Sequence, residues 1–136
     1  MRKKITENEF VIIEFLDDIV IITWKVDMTD IELVKKMVDL RLKVTPDEPY
    51  LFIANVMNVK KSTKEARDYL ASKKGSERVI AAALIVDSML TATLANFFMR
   101  VSKPLVTTKL FTEEEEAIRW LKTVNKNNAI NKTVSI

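Results

Sequence analysis

The sequence predicts an α/β protein with a mostly parallel sheet of four to five strands, which starts with an antiparallel hairpin and carries four helices. Two observations support this fold class. Apolar, β-branched runs alternate with amphipathic segments along the chain, which favours parallel strands joined by right-handed helical crossovers. Three segments begin with Ser or Thr and carry Glu three residues later, the pattern of a capping box at a helix N-terminus. The predicted order is β-β-α-β-α-β-α-β-α.

The first elements are predicted to be a β-hairpin and a helix. The apolar runs Phe10–Leu16 and Ile19–Lys25 are separated only by Asp17-Asp18, which predicts two strands joined by a tight turn. The segment Thr29–Glu32 is the first capping box. The helix that it opens should end before Pro46, because proline lacks an N–H and clashes with the preceding turn.

The middle of the chain is predicted as strand, helix and strand. Tyr50–Ala54 is a continuous apolar run, which is typical of a strand buried on both faces of a parallel sheet. Ser62–Glu65 is the second capping box, and Gly75 stands where a helix is expected to end in a left-handed residue. Val79–Val86 is the most apolar run, and we expect it to be a central strand.

The last third is predicted as helix, strand and helix. Asp87-Ser88 stands at the head of the third helix, which spans Met89–Val101 and ends at Pro104. Lys109–Phe111 is the final strand, and Thr112–Glu115 is the third capping box. The acidic run Glu113–Glu116 belongs to a first helical turn, where carboxylates interact favourably with the helix dipole.

The composition excludes several kinds of chemistry. The chain of 136 residues contains no His, no Cys and one Gly. It therefore lacks an imidazole base, a thiol nucleophile, the usual zinc ligands and a glycine-rich phosphate loop. Ser88 has no base at a suitable spacing, so capping explains it better than nucleophilic catalysis. We expect no enzymatic activity, no metal and no cofactor.

The chain is predicted to form a single domain over residues 1–124. Residues 125–136 are rich in Asn and Lys, and we expect them to form a loosely held C-terminal tail. No apolar run is long enough for a secretory signal or a transmembrane segment. The predicted location is the cytoplasm.

Positive charge is concentrated in one part of the chain. The net charge is +3, and a local excess could attract phosphate or an anionic partner. A solvated helix face with its flanking loops is the alternative explanation. The pattern lacks the stacking platform of single-strand nucleic-acid binders, so we expect no nucleic-acid partner. The basic residues of this segment are Lys60, Lys61, Lys64, Arg67, Lys73, Lys74 and Arg78.

Three strings give the chain a family resemblance. They are KKSTKEARDYLAS (Lys60–Ser72), ALIVDSMLTATLANFFMRVSKP (Ala83–Pro104) and TKLFTEEEEAIRWLK (Thr108–Lys122). In this order, and with the predicted order of strands, they resemble the STAS fold of sulphate transporters and anti-sigma-factor antagonists. The resemblance is strongest to the stand-alone, bacterial SpoIIAA-like branch, and it covers about residues 10 to 122.

The resemblance implies a phosphoacceptor at the start of the helix after the third strand, which falls here on Ser62 or Thr63. A phosphate there would be favoured by the helix N-terminus. The chain departs from the family pattern: Lys61 stands where the family has Asp, and Asn55 where the antagonists tend to carry Asp. These departures favour helix capping as the role of Ser62.

The predicted third helix is apolar on both sides, which indicates burial by a neighbouring element or contact with a partner. We therefore expect a non-enzymatic, STAS-like regulatory module that binds a protein partner or forms a homodimer. The alternative is a carrier or sensor of a small apolar or lipid-like ligand, because the SpoIIAA-like branch is similar to CRAL-TRIO-type lipid-binding domains. In that case Arg100 or Lys103 would meet an anionic head. The predicted surface comprises Met89, Thr93, Asn96, Met99, Arg100 and Lys103.

Overall fold

The computed structural model describes residues 1–88 and 104–134, with side chains to residue 124. Three helices are present in these residues: α1 (Ile31–Val44), α2 (Lys64–Ala71) and α3 (Glu114–Val134). The strands of the described residues are β1 (Arg2–Glu7), β2 (Val11–Leu16), β3 (Ile19–Trp24), β4 (Met28–Thr29), β5 (Tyr50–Asn55), β6 (Lys61–Ser62), β7 (Val79–Ile85) and β8 (Thr107–Phe111).

One mixed sheet organises the fold. Its strand order is β1-β2-β3-β5-β7-β8. The first three strands are antiparallel, and β3, β5, β7 and β8 run parallel to one another. The short strands β4 and β6 form a separate parallel pair. The predicted α/β fold with an antiparallel hairpin at its start is therefore confirmed, and β7 is an interior strand next to the edge strand β8.

The sheet has six strands. The prediction of four to five strands was wrong because it missed the first one. The missed strand, β1, pairs antiparallel with β2. Its sequence, RKKITE, is mostly charged and exposed. An edge strand contacts only one neighbour, so charged side chains can cover it and hide the apolar alternation that marks an interior strand. A bulge between Lys4 and Thr6 further disturbs its register.

The hairpin turn forms where the sequence predicts it. Leu16 and Ile19 are the last paired residues of β2 and β3, which leaves a two-residue loop. Asp17 adopts φ 55, in the left-handed region that short polar side chains tolerate better than most. Asp therefore takes the place that glycine often has in such turns.

Two hydrophobic cores lie on opposite faces of the sheet. Helices α1 and α2 cover one face, and α3 covers the other. The first core includes Val11, Ile13, Val20, Ile22, Trp24, Val34, Met37, Tyr50, Ala54 and Ala66. The second includes Ile19, Ile21, Leu51, Ile53, Ala81, Ala83, Ile85, Ala117 and Leu121. The alternation along β3 and β7 divides their side chains between these cores.

The first two predicted capping boxes begin one residue too early. The N-cap of α1 is Asp30, whose carboxylate accepts from the Leu33 amide at 2.9 Å. The N-cap of α2 is Thr63, whose hydroxyl accepts from the Ala66 amide at 3.2 Å. Helix α3 begins at Glu114, again one residue later than the predicted box. Because the capped positions carry Leu and Ala instead of Glu, the first two helices have simple caps without the reciprocal contact.

Gly75 has a different role from the predicted one. No glycine has positive φ, and the C-cap of α2 is Ser72 with φ −77. A Cβ on Gly75 would lie 2.3 Å from the Tyr69 carbonyl oxygen and 2.6 Å from that of Leu70. Glycine is required because the loop passes too close to the end of α2 for any side chain.

Two predictions concern the end of the chain. The predicted third helix, Met89–Val101, lies outside the described residues. Those residues contain three helices, against the four predicted for the chain. Helix α3 extends to Val134, which makes the backbone of residues 125–134 helical; the loosely held tail stays a prediction. In the described part of the chain, no helix is long and apolar enough to cross a membrane.

Candidate functional site

A cavity of about 700 Å³ lies between the sheet and the helices α1 and α2. This volume is in the range of small-molecule sites. Residues of β3, β5, β7 and β8 form one wall, and the two helices contribute the opposite side. The apolar lining includes Ile22, Trp24, Met28, Met37, Val38, Phe52, Ala54, Val56, Val59, Leu70, Ala71, Val79, Ala82, Leu84, Val86, Pro104 and Val106.

Small side chains line part of the cavity. Ala54 and Ala82 stand on adjacent interior strands and both line the space. Helix α2 has only eight residues, and Ala66 is its one buried residue. Leu70 of the same helix is 37% exposed. The described residues of α2 therefore fill the space beside the sheet only in part.

The charged groups of the lining are all cationic. They are Arg41, Lys60, Lys61 and Arg67, and the described lining contains no Asp or Glu. A low-dielectric cavity with walls of one sign concentrates the electrostatic field. The site is therefore apolar along its length and electropositive.

Arg41 is the buried cation of this set, with 2% of its surface exposed. Its guanidinium donates to the hydroxyl of Tyr50 and to the carbonyl oxygens of Glu77 and Gly75, the last two at 3.1 Å. It also lies 5.1 Å from the ring centroid of Phe52. These contacts satisfy a buried cation with carbonyl oxygens, a hydroxyl and an aromatic face.

The opposite end of the cavity lies at the carboxyl ends of β3 and β5, where helices α1 and α2 begin. The pairing of β4 with β6 brings the two helix N-termini together. Thr29 donates its hydroxyl hydrogen to Ser62 Oγ at 2.9 Å, and the Arg67 guanidinium donates to the Ser62 carbonyl oxygen. Carboxyl ends of parallel strands are the common ligand-binding edge of α/β sheets.

The two lysines at this end stand on an anchored loop. The amides of Lys60 and Lys61 donate to the Asp27 carbonyl oxygen at 2.7 and 3.0 Å. Lys60 Nζ lies 3.3 Å from Asp87 Oδ2, and its side chain is 64% exposed. The backbone is therefore fixed, while the ammonium groups remain near solvent at the mouth of the cavity.

The structure brings two of the predicted site residues to this cavity and leaves the others undescribed. Ser62 and Thr63 both line it, Ser62 through the contact with Thr29 and Thr63 as the N-cap of α2. Phosphorylation at either residue stays a prediction. The predicted partner or ligand surface lies entirely outside the described residues: Met89, Thr93, Asn96, Met99, Arg100 and Lys103.

Sequence reasoning missed Arg41 and the cavity itself. Arg41 falls in the last turn of an amphipathic helix, where a basic residue is ordinary. Its two carbonyl acceptors, in Gly75 and Glu77, lie more than thirty positions away along the chain. The usable signals were the small residue Ala82, which borders the cavity, and the basic run that starts at Lys60.

A comparison with known protein families identifies the family of this chain. Residues 12–125 match the family described as Domain of unknown function (DUF7793). The chain belongs to this family. No curated protein matches the DUF7793 chain.

A solved structure shows the same fold as this DUF7793 chain. It is an uncharacterised protein of the DUF3478 family with a SpoIIAA-like fold, from Shewanella loihica PV-4. The similarity covers 85% of this chain and 98% of the other, with a TM-score of 0.59 and 16% sequence identity. The chain therefore has a SpoIIAA-like fold, as its sequence predicts, and this likeness concerns the fold alone.

Proposed function

We propose that this DUF7793 protein is a non-enzymatic binding module of the bacterial cytoplasm, and that its ligand is a small apolar or amphipathic molecule. The observation that carries the proposal is the cavity of about 700 Å³ with its long apolar lining. Burying an acyl-like chain there would remove apolar surface from water on both ligand and protein. The composition, without His or Cys, supports binding over catalysis.

The shape of the site adds further support. Trp24 and Phe52 contribute aromatic surface from adjacent strands, and Met37 contributes an adaptable thioether from α1. Aromatic and methionine side chains accommodate flexible apolar ligands without a fixed shape. The interior strands that carry Trp24 and Phe52 are held by parallel pairing, so this wall is preformed.

A second candidate is a regulatory module that acts through a protein partner or a second copy. The observation that favours it is the SpoIIAA-like fold, because the sequence resembles the family of anti-sigma-factor antagonists. The surface predicted for this contact lies outside the described residues, so the homodimer and the partner stay predictions. The two candidates are compatible, since a bound ligand could control an interaction.

Native mass spectrometry of protein purified from its own host tests both candidates. We expect a reproducible adduct of lipid-like mass on the wild type and its loss in Ala82→Phe, which fills the cavity from β7. Lys74→Gln, an exposed change outside the lining, is the control and should keep the adduct. An unmodified mass for every variant, together with no uptake of added apolar ligands, would contradict the carrier function. A dimeric or hetero-complex mass would support the regulatory module.

A further inference from the structure

The chemistry of the cavity specifies its ligand more closely than apolar lining alone. We propose that the ligand is an anionic amphiphile, with its chain along the apolar wall and its acidic head group at Lys60, Lys61 and Arg67. This inference rests on the proposed function. The shared chemistry is an acyl chain that ends in a carboxylate or a phosphate.

The sign of the charge is the first argument. Four cations line the cavity, and the described lining has no acidic side chain. The Asp87 carboxylate contacts Lys60 Nζ from outside the lining. An anionic head group beside these cations would gain charge-assisted hydrogen bonds that a neutral head group would not.

The direction of the helices decides which end receives the head group. Arg41 belongs to the last turn of α1, where the helix dipole is negative and its charge is complemented. Its guanidinium is also committed to the carbonyl oxygens of Gly75 and Glu77. At the other end, α1 and α2 both begin next to the β4–β6 pair, so Lys60 and Lys61 stand beside two helix N-termini, where an anion is favoured over a cation. The Asp30 carboxylate already caps α1 there, so the lysines are the main attraction for a head group.

The exposure of the cationic side chains indicates the same orientation of the ligand in the cavity. The Lys60 side chain is 64% exposed, whereas Arg41 is 2% exposed. A head group at Lys60 and Lys61 would keep partial hydration and could be exchanged at the mouth. A head group at Arg41 would have to give up its water entirely, at a large desolvation cost.

The test uses the cavity's own fluorophore. Trp24 lines the cavity, and Trp120 packs on the other face of the sheet, so Trp120→Phe leaves Trp24 as the single reporter. The probes are chain-brominated dodecanoate, the corresponding dodecyl phosphate and the neutral dodecanol, each of which quenches Trp24 on binding. We expect both anions to bind about tenfold more tightly than the alcohol, the size of one charge-assisted contact.

Two charge variants complete the test. Lys60→Gln with Lys61→Gln should weaken the anions about tenfold and leave the alcohol unchanged. Lys64→Gln is the matched control, because the Lys64 side chain is also 64% exposed and also ion-paired, but does not line the cavity. A preference for one anion over the other would separate a carboxylate ligand from a phosphorylated one.

The possible failures have different meanings. Equal affinity for the anions and the alcohol, or no effect of the double lysine variant, would overturn the anionic head group and leave the apolar carrier standing. No quenching of Trp24 by any of the three probes would overturn the carrier function as well. Far-UV circular dichroism of each complex excludes quenching by ligand-induced unfolding.

Discussion

Arg41 and Arg78 each donate hydrogen bonds to the loop beside the other arginine. Arg41 contacts the loop that precedes Arg78, and Arg78 contacts the loop that follows the helix of Arg41. Arg41, at the end of α1, donates to the carbonyl oxygens of Gly75 and Glu77 in the loop before β7. Arg78, at the end of that loop, donates to the Leu42 carbonyl oxygen at 2.8 Å. It also reaches the carbonyl oxygens of Thr45 and Pro46, in the loop that follows α1. This reciprocal arrangement joins the two loops at the amino ends of β5 and β7.

We expect Arg41→Met to lower the free energy of unfolding by about 2 kcal/mol or more, because it removes the hydrogen bonds to the buried Tyr50 hydroxyl and to two partly buried carbonyl oxygens. Arg78→Met should cost about 1–2 kcal/mol, since its contacts are nearer the surface. Because the loops share both arginines, the double variant should deviate from additivity by at least about 0.5 kcal/mol. Urea unfolding of the four proteins measures these quantities.

Arg119→Met is the control for this cycle. Arg119 is an exposed residue of α3, so its replacement should stay within about 0.5 kcal/mol of the wild type. Strict additivity of the two loop variants would show that the loops respond independently.

Ala82 and Ala83 are neighbours on opposite faces of β7, and they should respond differently to enlargement. Ala82 borders the cavity, so Ala82→Leu has space and should change the melting temperature little. Ala83 is fully buried in the core beneath α3, so Ala83→Leu should cost about 1–3 kcal/mol through overpacking. Thermal unfolding compares the pair, and equal destabilisation by both would mean that the space beside Ala82 is already filled.

The position of the α1 cap gives a third prediction. Asp30→Ala removes the acceptor of the Leu33 amide and should cost about 1 kcal/mol. Asp30→Ser should restore most of this loss, because the hydroxyl can accept the same hydrogen bond. Denaturant unfolding measures both, with Glu32→Ala as the control for loss of charge in the first turn. A larger loss from Glu32→Ala than from Asp30→Ala would support the capping box predicted from the sequence.

The ion pairs of Glu7 make the stability of the folded protein depend on pH in the acidic range. Hydrogen bonds from Lys4 and Lys25, together with their charges, lower the pKa of Glu7 from 4.5 to about 2. Because the folded-state pKa is the lower one, the stabilisation is complete above about pH 4.5 and is lost as the pH falls towards 2. Glu7→Gln should therefore be less stable than the wild type at pH 6, and the difference should vanish near pH 2.

The size of this difference should be small and should shrink in salt, because exposed ion pairs are screened. Urea unfolding at several pH values and two ionic strengths measures it. Glu9→Gln is the control: Glu9 is exposed, and the ion pairs of the described residues do not include it. The attribution to the two lysines would fail if Glu9→Gln changed the pH profile as much as Glu7→Gln.

The sequence predicted the elements whose signals are local. The strands at Tyr50–Asn55 and Val79–Ile85 carry uninterrupted apolar runs, and α1 and α2 begin within one residue of the predicted caps. The caps were misplaced because Thr29-Asp30 and Ser62-Thr63 each offer two good capping residues in succession. Which one caps depends on the β4–β6 pairing, a contact between distant parts of the chain.

The candidate site was predictable only in part, for a related reason. A basic run at Lys60 can be read from composition, but a void depends on how far α2 stands from the sheet. That distance follows from packing across the whole layer, in which single small residues such as Ala54 and Ala82 have effects that no local pattern records. Arg41 was hidden in the same way, because its carbonyl acceptors lie in the loop before β7, which the sequence does not place beside α1.

The close passage of the Gly75 loop over the end of α2 has a genetic consequence. Even one methyl group there would meet backbone atoms, at 2.3 Å in the nearest case, and backbone cannot move aside as a flexible side chain does. Codon changes at this single glycine should therefore be recovered as temperature-sensitive alleles. Many neighbouring codons, such as those of the exposed Lys73 and Lys74, should drift freely in the same population.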